Sequence, residues 1–321
     1  METRVIDAYR ERSVLVTGAT GFIGSHLAAA LARAGARVTA TRTSAARRPR
    51  IEIPPAVAWV DLDVRDRGAT RDVVSCARPD VVFHLASYGT LTADQDAARM
   101  VDVNVAGAFN VWQAAGGRQV RFVMTGTCAE YGPVAGPATE DTPCRPQSAY
   151  PASKLAAASL IAGLARETGR PAVILRVYGA FGPGDDDRRV IPSVIAALQA
   201  GRTIELTEGR QRRDFCYVDD HVSALLAAGA ATTLAPGAIF NIGGGHPTTL
   251  REALERVAAV VGGSGRLVFG ARPMRPGEAE EMTADITAAR RALGYEPGVP
   301  FEEGVRRTAA WMRARGRMET A

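Results

Sequence analysis

The chain has 321 residues, 46% hydrophobic and 23% charged, with 39 basic against 34 acidic side chains and a formal net charge of +5. Such values belong to a globular chain with ample apolar surface for a core, and they exclude a disordered or fibrous one. The basic residues are scattered, aromatic residues make up 6%, and no zinc-ligand spacing occurs, so a small polyanionic substrate suits the charge better than nucleic acid.

The first predicted strand, Ser13 to Thr17, leads through Gly18, Gly21 and Gly24 into a helix over Ile23 to Ala34. A tight turn needs positive φ, a closely approaching pyrophosphate leaves no room for a Cβ, and the helix must pack on the strand. Glycine meets all three needs, and the helix N-terminus offers free N–H groups, which predicts a dinucleotide site. The second strand, Arg37 to Thr41, ends at Arg42, where dinucleotide-binding chains that use NAD place an acid. A guanidinium there, with Thr43, Ser44, Arg47 and Arg48 behind it, suits a 2′-phosphate. NADP(H) is therefore the favoured cofactor and NAD(H) the alternative.

Further strands are predicted at Val57 to Asp61, Asp80 to His84, Val120 to Thr125 and Ala172 to Arg176. They are apolar without strict alternation, as in strands buried on both faces. Helices fall at Arg67 to Cys76, Ala97 to Ala115 and Ser148 to Thr168, and Gly35, Gly116 and Gly169 stand where left-handed caps would close three helices. This alternation predicts an α/β fold, a doubly wound parallel sheet of Rossmann type over residues 1–176. Beyond it, Gly179, Gly182, Pro183 and Gly184 and the run Asp185 to Arg189 break the pattern. Helices at Ile191 to Ala200, Asp219 to Ala231, Leu250 to Val261 and Phe301 to Met312 then predict a smaller substrate lobe over 177–321, with about 214–242 rejoining the sheet.

No apolar run approaches a membrane span of roughly 18 residues, and the polar N-terminus lacks a signal-peptide core, so a cytoplasmic protein is expected. Cys76, Cys128, Cys144 and Cys216 are far apart and read as free, buried thiols.

Tyr150 and Lys154 stand four apart on a predicted helix and so share a face. An ammonium beside a phenol brings it towards a working pKa for acid–base catalysis. Thr127, at the end of the fifth predicted strand, supplies a hydroxyl that orients a substrate carbonyl. Lys154 is the only lysine in the chain; the other 38 basic residues are arginine. A compact ammonium is kept where a guanidinium would be too bulky and too diffuse.

These residues resemble the extended short-chain dehydrogenase/reductase family, the NAD-dependent epimerase/dehydratase family that acts on nucleotide sugars. The resemblance spans about residues 13–314. It rests on Thr17-Gly-Ala-Thr-Gly-Phe-Ile-Gly24, His84-Leu-Ala86, Asn104-Val, Thr125-Gly-Thr-Cys-Ala-Glu-Tyr-Gly132, Tyr150-Pro-Ala-Ser-Lys154, Leu175-Arg-Val-Tyr178 and Arg212-Arg-Asp-Phe-Cys-Tyr-Val-Asp219. It implies that Gly18, Thr20, Gly21, Phe22, Ile23 and Gly24 hold the dinucleotide, and that Asp63 and Val64 lie against adenine. Leu85, Ala86, Tyr88 and Asn104 then lie along the cofactor, Thr125 and Tyr178 border the nicotinamide, and Thr127, Tyr150 and Lys154 are catalytic. Arg213 and Arg275 are implied to hold a nucleotide diphosphate, and the helices at 97–115 and 148–168 to pair in a homodimer. No metal is implied.

Two departures narrow the chemistry. Relatives that eliminate water carry an Asp-Glu pair where this chain has Cys128 and Ala129. Glu130 lies one position further on, facing away if the backbone is extended. Decarboxylases also carry a Glu at the place of Ala129, so both readings fall. Gly179 stands where an Asn that helps bind the diphosphate is common. The expected reaction is NADPH-dependent reduction of a nucleotide-activated 4-keto-6-deoxyhexose at C4, with Tyr150 as proton donor. An NAD-dependent 4-epimerase is the alternative, and a non-catalytic cofactor sensor or scaffold is the reading from another class.

Overall fold

The computed structural model describes residues 2–319 apart from 91–93, 95, 117–118 and 275–276. Seven parallel strands, β1 (Ser13–Thr17), β2 (Arg37–Arg42), β3 (Ala58–Asp61), β4 (Val81–His84), β5 (Arg121–Thr127), β6 (Ala172–Val177) and β7 (Ala238–Ile242), form one sheet in the order β7-β6-β5-β4-β1-β2-β3. Strand order reverses between β1 and β4, and the carboxyl ends there open a crevice of the kind that takes ligands in such sheets.

The apolar strands supply two cores at once. Val14, Val16, Val81, Phe83 and Val123 face one layer, with α2 (Phe22–Arg33) and α8 (Val218–Ala230). Leu15, Val82, Phe122, Met124 and Ile174 face the other, under α3 (Arg67–Ala77), α5 (Gly107–Ala114) and α6 (Ala149–Thr168). A third cluster joins α7 (Val190–Gln199), α9 (Leu250–Val261) and α11 (Phe301–Glu319) through Ile195, Leu254 and Val305. Among the described residues, no helix is long and apolar enough to cross a membrane.

Several expectations change. The helix expected over 97–115 is interrupted: α4 (Ala97–Met100) passes through a π-helical stretch, Val101–Ala106, before α5. Gly35 (φ +78°) and Gly169 (φ +67°) are left-handed, but Gly116 is not, and Arg78 caps α3 at φ +42° instead. The short helices α1 (Glu2–Asp7) and α10 (Thr287–Leu293) carry too little periodicity to be read from sequence. All four cysteines are free, but Cys76 is exposed and Cys144 only half-buried.

Candidate active site

The glycine turn is built by contact. Gly18 has φ +71°, and a Cβ there would stand 2.6 Å from the Ala86 nitrogen; one on Gly24 would stand 2.2 Å from the Gly18 carbonyl oxygen. Gly21 is the N-cap of α2 and no side chain caps that helix, so its first amides face the crevice uncapped, as an anion requires. Thr20, Phe22 and Ile23 flank the turn half-buried. Leu85 and Ala86 follow β4 and are tied to β1 by Leu85 N–H to the Thr17 carbonyl (3.1 Å) and Ala86 N–H to Thr17 Oγ1 (3.4 Å). Thr17 Oγ1 also bonds His84 Nδ1 at 2.8 Å, and burial pushes that imidazole down to about 3, so it is neutral. A cradle that any Cβ would fill, beside an uncapped helix, fits a dinucleotide.

At the adenosine end, Arg42 donates from Nε to Asp61 Oδ1 at 2.7 Å and lies 5.9 Å from the Trp59 ring centre. Asp63 is held by Arg65, whose hydrogen bonds keep its carboxyl below the usual range. Val64 is buried, and its carbonyl accepts from Asn110 at 3.0 Å.

Tyr150 and Lys154 lie in the first two turns of α6, Tyr150 half-buried and Lys154 2% exposed. The π-helical stretch delivers the buried Asn104 to this point, a common use of such bulges. Asn104 donates to Ser153 Oγ (2.8 Å) and to the Tyr88 carbonyl (2.9 Å) and accepts from the Tyr88 N–H (2.8 Å). Ser153 in turn donates to the Tyr150 carbonyl at 2.8 Å. Asn104 therefore ties the Tyr88 loop to α6 with its own amide fully engaged, and Arg99 stacks 4.4 Å from the Tyr88 ring centre. Ser153 was not anticipated; its place inside Tyr150-Pro-Ala-Ser-Lys154 was the available signal.

Burial lowers Lys154 to about 8, opposed by the Glu130 carboxylate. Burial raises the Tyr150 phenol, with Cys128 and Glu130 adding and Arg189 opposing. Thr125 is half-buried on β5, and Thr127 ends the strand with Oγ1 accepting from the Ala129 N–H at 3.3 Å. Cys128 is buried, and its thiol is pushed up to about 11 by that burial. Tyr178 is 1% exposed, and among the described residues its hydroxyl has no hydrogen-bond partner. A buried orphan hydroxyl needs a partner, and the carboxamide of a nicotinamide could provide one.

Two departures from the resemblance acquire physical reasons. The backbone does not continue extended after Thr127 but turns into a short 3₁₀ helix, Cys128–Tyr131. Glu130 is thereby tucked inward, not swung to the opposite face. Its Oε1 accepts from the Thr127 N–H and its Oε2 from Arg176 Nε, both at 2.8 Å. Gly179 has φ +35°, and a Cβ there would lie 2.0 Å from the Asp214 carbonyl oxygen, so an Asn has no room.

Further along the chain, Arg213 donates to Glu278 Oε1 at 2.9 Å, and Gln211 donates to the same oxygen at 3.1 Å. Gln211 is buried, and its side-chain Oε1 has no hydrogen-bond partner among the described residues. A cavity of about 750 Å³ opens there, lined by Gln211, Arg210, Glu208, Met274 and Glu280. Arg275 lies outside the described residues.

The NAD dependent epimerase/dehydratase family model matches residues 14–243. The chain belongs to that family. It is similar to the UDP-glucose 4-epimerase of Mycolicibacterium smegmatis, 31% identical over 311 residues that cover 93% of this chain and 98% of that protein. A solved epimerase from Methanothermobacter thermautotrophicus superposes with a TM-score of 0.90 at 29% identity, covering 99% of this chain and 97% of the other. MoeE5, solved with UDP-glucose and NAD, superposes with a TM-score of 0.83 at 29% identity, covering 94% and 99%. The protein is thus an enzyme of the extended short-chain dehydrogenase/reductase type, and a nicotinamide cofactor and a nucleotide-sugar substrate are the ligands of its neighbours.

Proposed function

We propose that this enzyme reduces a nucleotide-activated 4-keto-6-deoxyhexose at C4 with NADPH. The observation that carries the reading is the state of the turn after β5. Cys128 and Ala129 offer no acid or base, and both oxygens of Glu130 are already bonded. No free carboxylate stands there to expel a hydroxyl, which leaves hydride and proton transfer at a carbonyl.

A reduced nicotinamide, when bound, supplies the hydride to C4. As the C4–H bond forms, the carbonyl π pair moves to oxygen, and Tyr150 gives its phenolic proton to that oxygen. The Lys154 ammonium stabilises the phenolate left behind, and the Thr127 hydroxyl donates to the same oxygen, holding the carbonyl in line. Gly18, Gly21 and Gly24 with the α2 N-terminus would hold the pyrophosphate, Asp63 and Val64 the adenine, Arg42 the 2′-phosphate, and Leu85, Ala86, Tyr88, Thr125 and Tyr178 the nicotinamide half. Arg213, Arg275 and the cavity beside Gln211 would take the nucleoside diphosphate.

The bond from Asp61 to Arg42 favours a second reading, an NAD-dependent 4-epimerase, because that carboxylate suits ribose hydroxyls better than a 2′-phosphate. Denaturing the purified enzyme and identifying the released dinucleotide separates the two. Stoichiometric NAD overturns the reductase; an empty or NADP-loaded enzyme that oxidises NADPH only with a 4-keto sugar nucleotide supports it.

A cytoplasmic homodimer is part of the proposal. Val101, 54% exposed on the π-helical stretch, and Leu160, 38% exposed on α6, offer apolar contacts for a second copy. Leu160→Glu should then elute as a monomer in size-exclusion chromatography.

A further inference from the structure

The proton and hydride chemistry above leaves Glu130 without a task, although burying a carboxylate is costly. Glu130 is 0% exposed and Arg176 3% exposed. The guanidinium is bonded on its other side too, where it donates to the Tyr131 hydroxyl at 2.8 Å, and Tyr131 donates to Asn241 Oδ1 at 2.7 Å. The strand is cut to admit the carboxylate: a Cβ on Gly126 would stand 2.6 Å from Glu130 Oε1 and 3.2 Å from Arg176 Cγ. The other end of the clamp is the Thr127 amide, in the same residue as the hydroxyl proposed to orient the substrate.

We propose that Glu130 is a positioning residue: clamped by Arg176, its carboxylate fixes the turn that carries Thr127 and keeps the Tyr150–Lys154 pair loaded with its protons. This rests on the reading of Tyr150 and Lys154 as the proton-transfer pair, and it deepens that reading by giving the pair a direction. α6, which carries both residues, packs against the 3₁₀ turn that holds Glu130; the Glu130 charge acts on Lys154 from that turn, and His84 from β4 is neutral. The groups acting on Tyr150 are Cys128 and Glu130 from the turn and Arg189 from the segment before α7. Glu130 is the negative charge common to both sets. It holds the ammonium against the pull of burial and disfavours the phenolate, so the resting pair is poised to give a proton to a developing alkoxide.

The single lysine makes the test clean. With lysine carrying ¹³C at Cε, the NMR spectrum reports Lys154 alone, with no substrate needed. The Lys154 midpoint should lie near 8 in the wild type and fall by about one pH unit in E130Q, the scale of losing one nearby opposite charge. In E130D, which keeps the charge but shortens the reach to the Thr127 amide, the midpoint should hold while kcat falls and KM does not. If E130Q fails to fold around the unpaired Arg176, E130Q/R176M carries the same titration. An unchanged midpoint in a folded variant overturns the proposal. A shifted midpoint in an enzyme that turns over no nucleotide sugar leaves the proposal standing and overturns the substrate reading instead.

Discussion

Arg42 Nε meets Asp61 Oδ1 at 2.7 Å because the parallel register of β2 and β3 sets the two residues side by side. Both are partly solvent-exposed, so the pair contributes at most about 1 kcal/mol to stability. On the proposed NADPH reading its weight lies in cofactor choice, since it puts a carboxylate next to the guanidinium proposed to hold the 2′-phosphate. Asp61→Asn should tighten NADPH binding roughly threefold to tenfold, about 1 kcal/mol, with little change for NADH. Arg42→Asp should reverse the preference. Isothermal titration of both cofactors against the three proteins decides it; equal NADPH affinity throughout removes Arg42 from the phosphate site.

The Tyr150–Lys154 pair predicts both a magnitude and a pH limb. Tyr150→Phe should lower kcat by about 10²- to 10⁴-fold while cofactor affinity, followed by nicotinamide fluorescence, is retained. On the proposed mechanism Lys154 acts as the ammonium, and burial lowers it to about 8, so activity should be full below that pH and decline above it. Lys154→Arg should not rescue, because the site is 2% exposed and closed around a linear amine. A rate that stays flat to pH 10 would remove Lys154 from the proton path.

What the sequence disclosed depends on how local each constraint is. Gly18, Gly21 and Gly24 were legible because the turn they serve is built within seven residues, and Tyr150 and Lys154 because one helical turn fixes their shared face. Asp61 was not, since its meeting with Arg42 depends on which strands neighbour each other and in what register. The place of Glu130 is hidden for the same kind of reason: an extended backbone would turn it away, whereas in the 3₁₀ turn its carboxylate meets Arg176, 46 residues away. Arg78 takes the left-handed cap of α3 with no glycine there to signal it, and Asn104 reaches Ser153 through a π-helical stretch that no periodicity announces.

Gly179 gives a prediction about the missing asparagine. Restoring the residue common at that place should not improve substrate binding, because a Cβ would lie 2.0 Å from the Asp214 carbonyl oxygen. Asp214 itself is buried and accepts from the Gly244 and Gly245 N–H groups, so that backbone cannot yield cheaply. Gly179→Asn should cost at least about 2 kcal/mol in urea unfolding, and Gly179→Ala nearly as much, since the clash begins at Cβ. A stable Asn variant with tighter nucleotide-sugar binding would show that the neighbouring segment is mobile enough to make room.

Asp185 provides the test with a definite sign in pH. Its side chain is 3% exposed, accepts the Asp186 N–H at 2.8 Å and has Arg189 Nε at 3.7 Å. Burial outweighs these partners and raises its carboxyl to about 6. The folded state therefore holds a proton between about pH 4 and 6 that the unfolded chain has released, and stability from this group is present at low pH and lost as pH rises through 6. At pH 7.5 the ionised carboxylate costs about 2–3 kcal/mol by that linkage. Asp185→Asn keeps an acceptor for the Asp186 N–H and removes the charge, so it should be more stable than the wild type by up to about 2 kcal/mol at pH 7.5, with the gain vanishing near pH 4. Urea titrations of both proteins at the two pH values measure the difference; a gain independent of pH would mean that Asp185 is ordinary in its acidity and that Arg189 meets its charge in full.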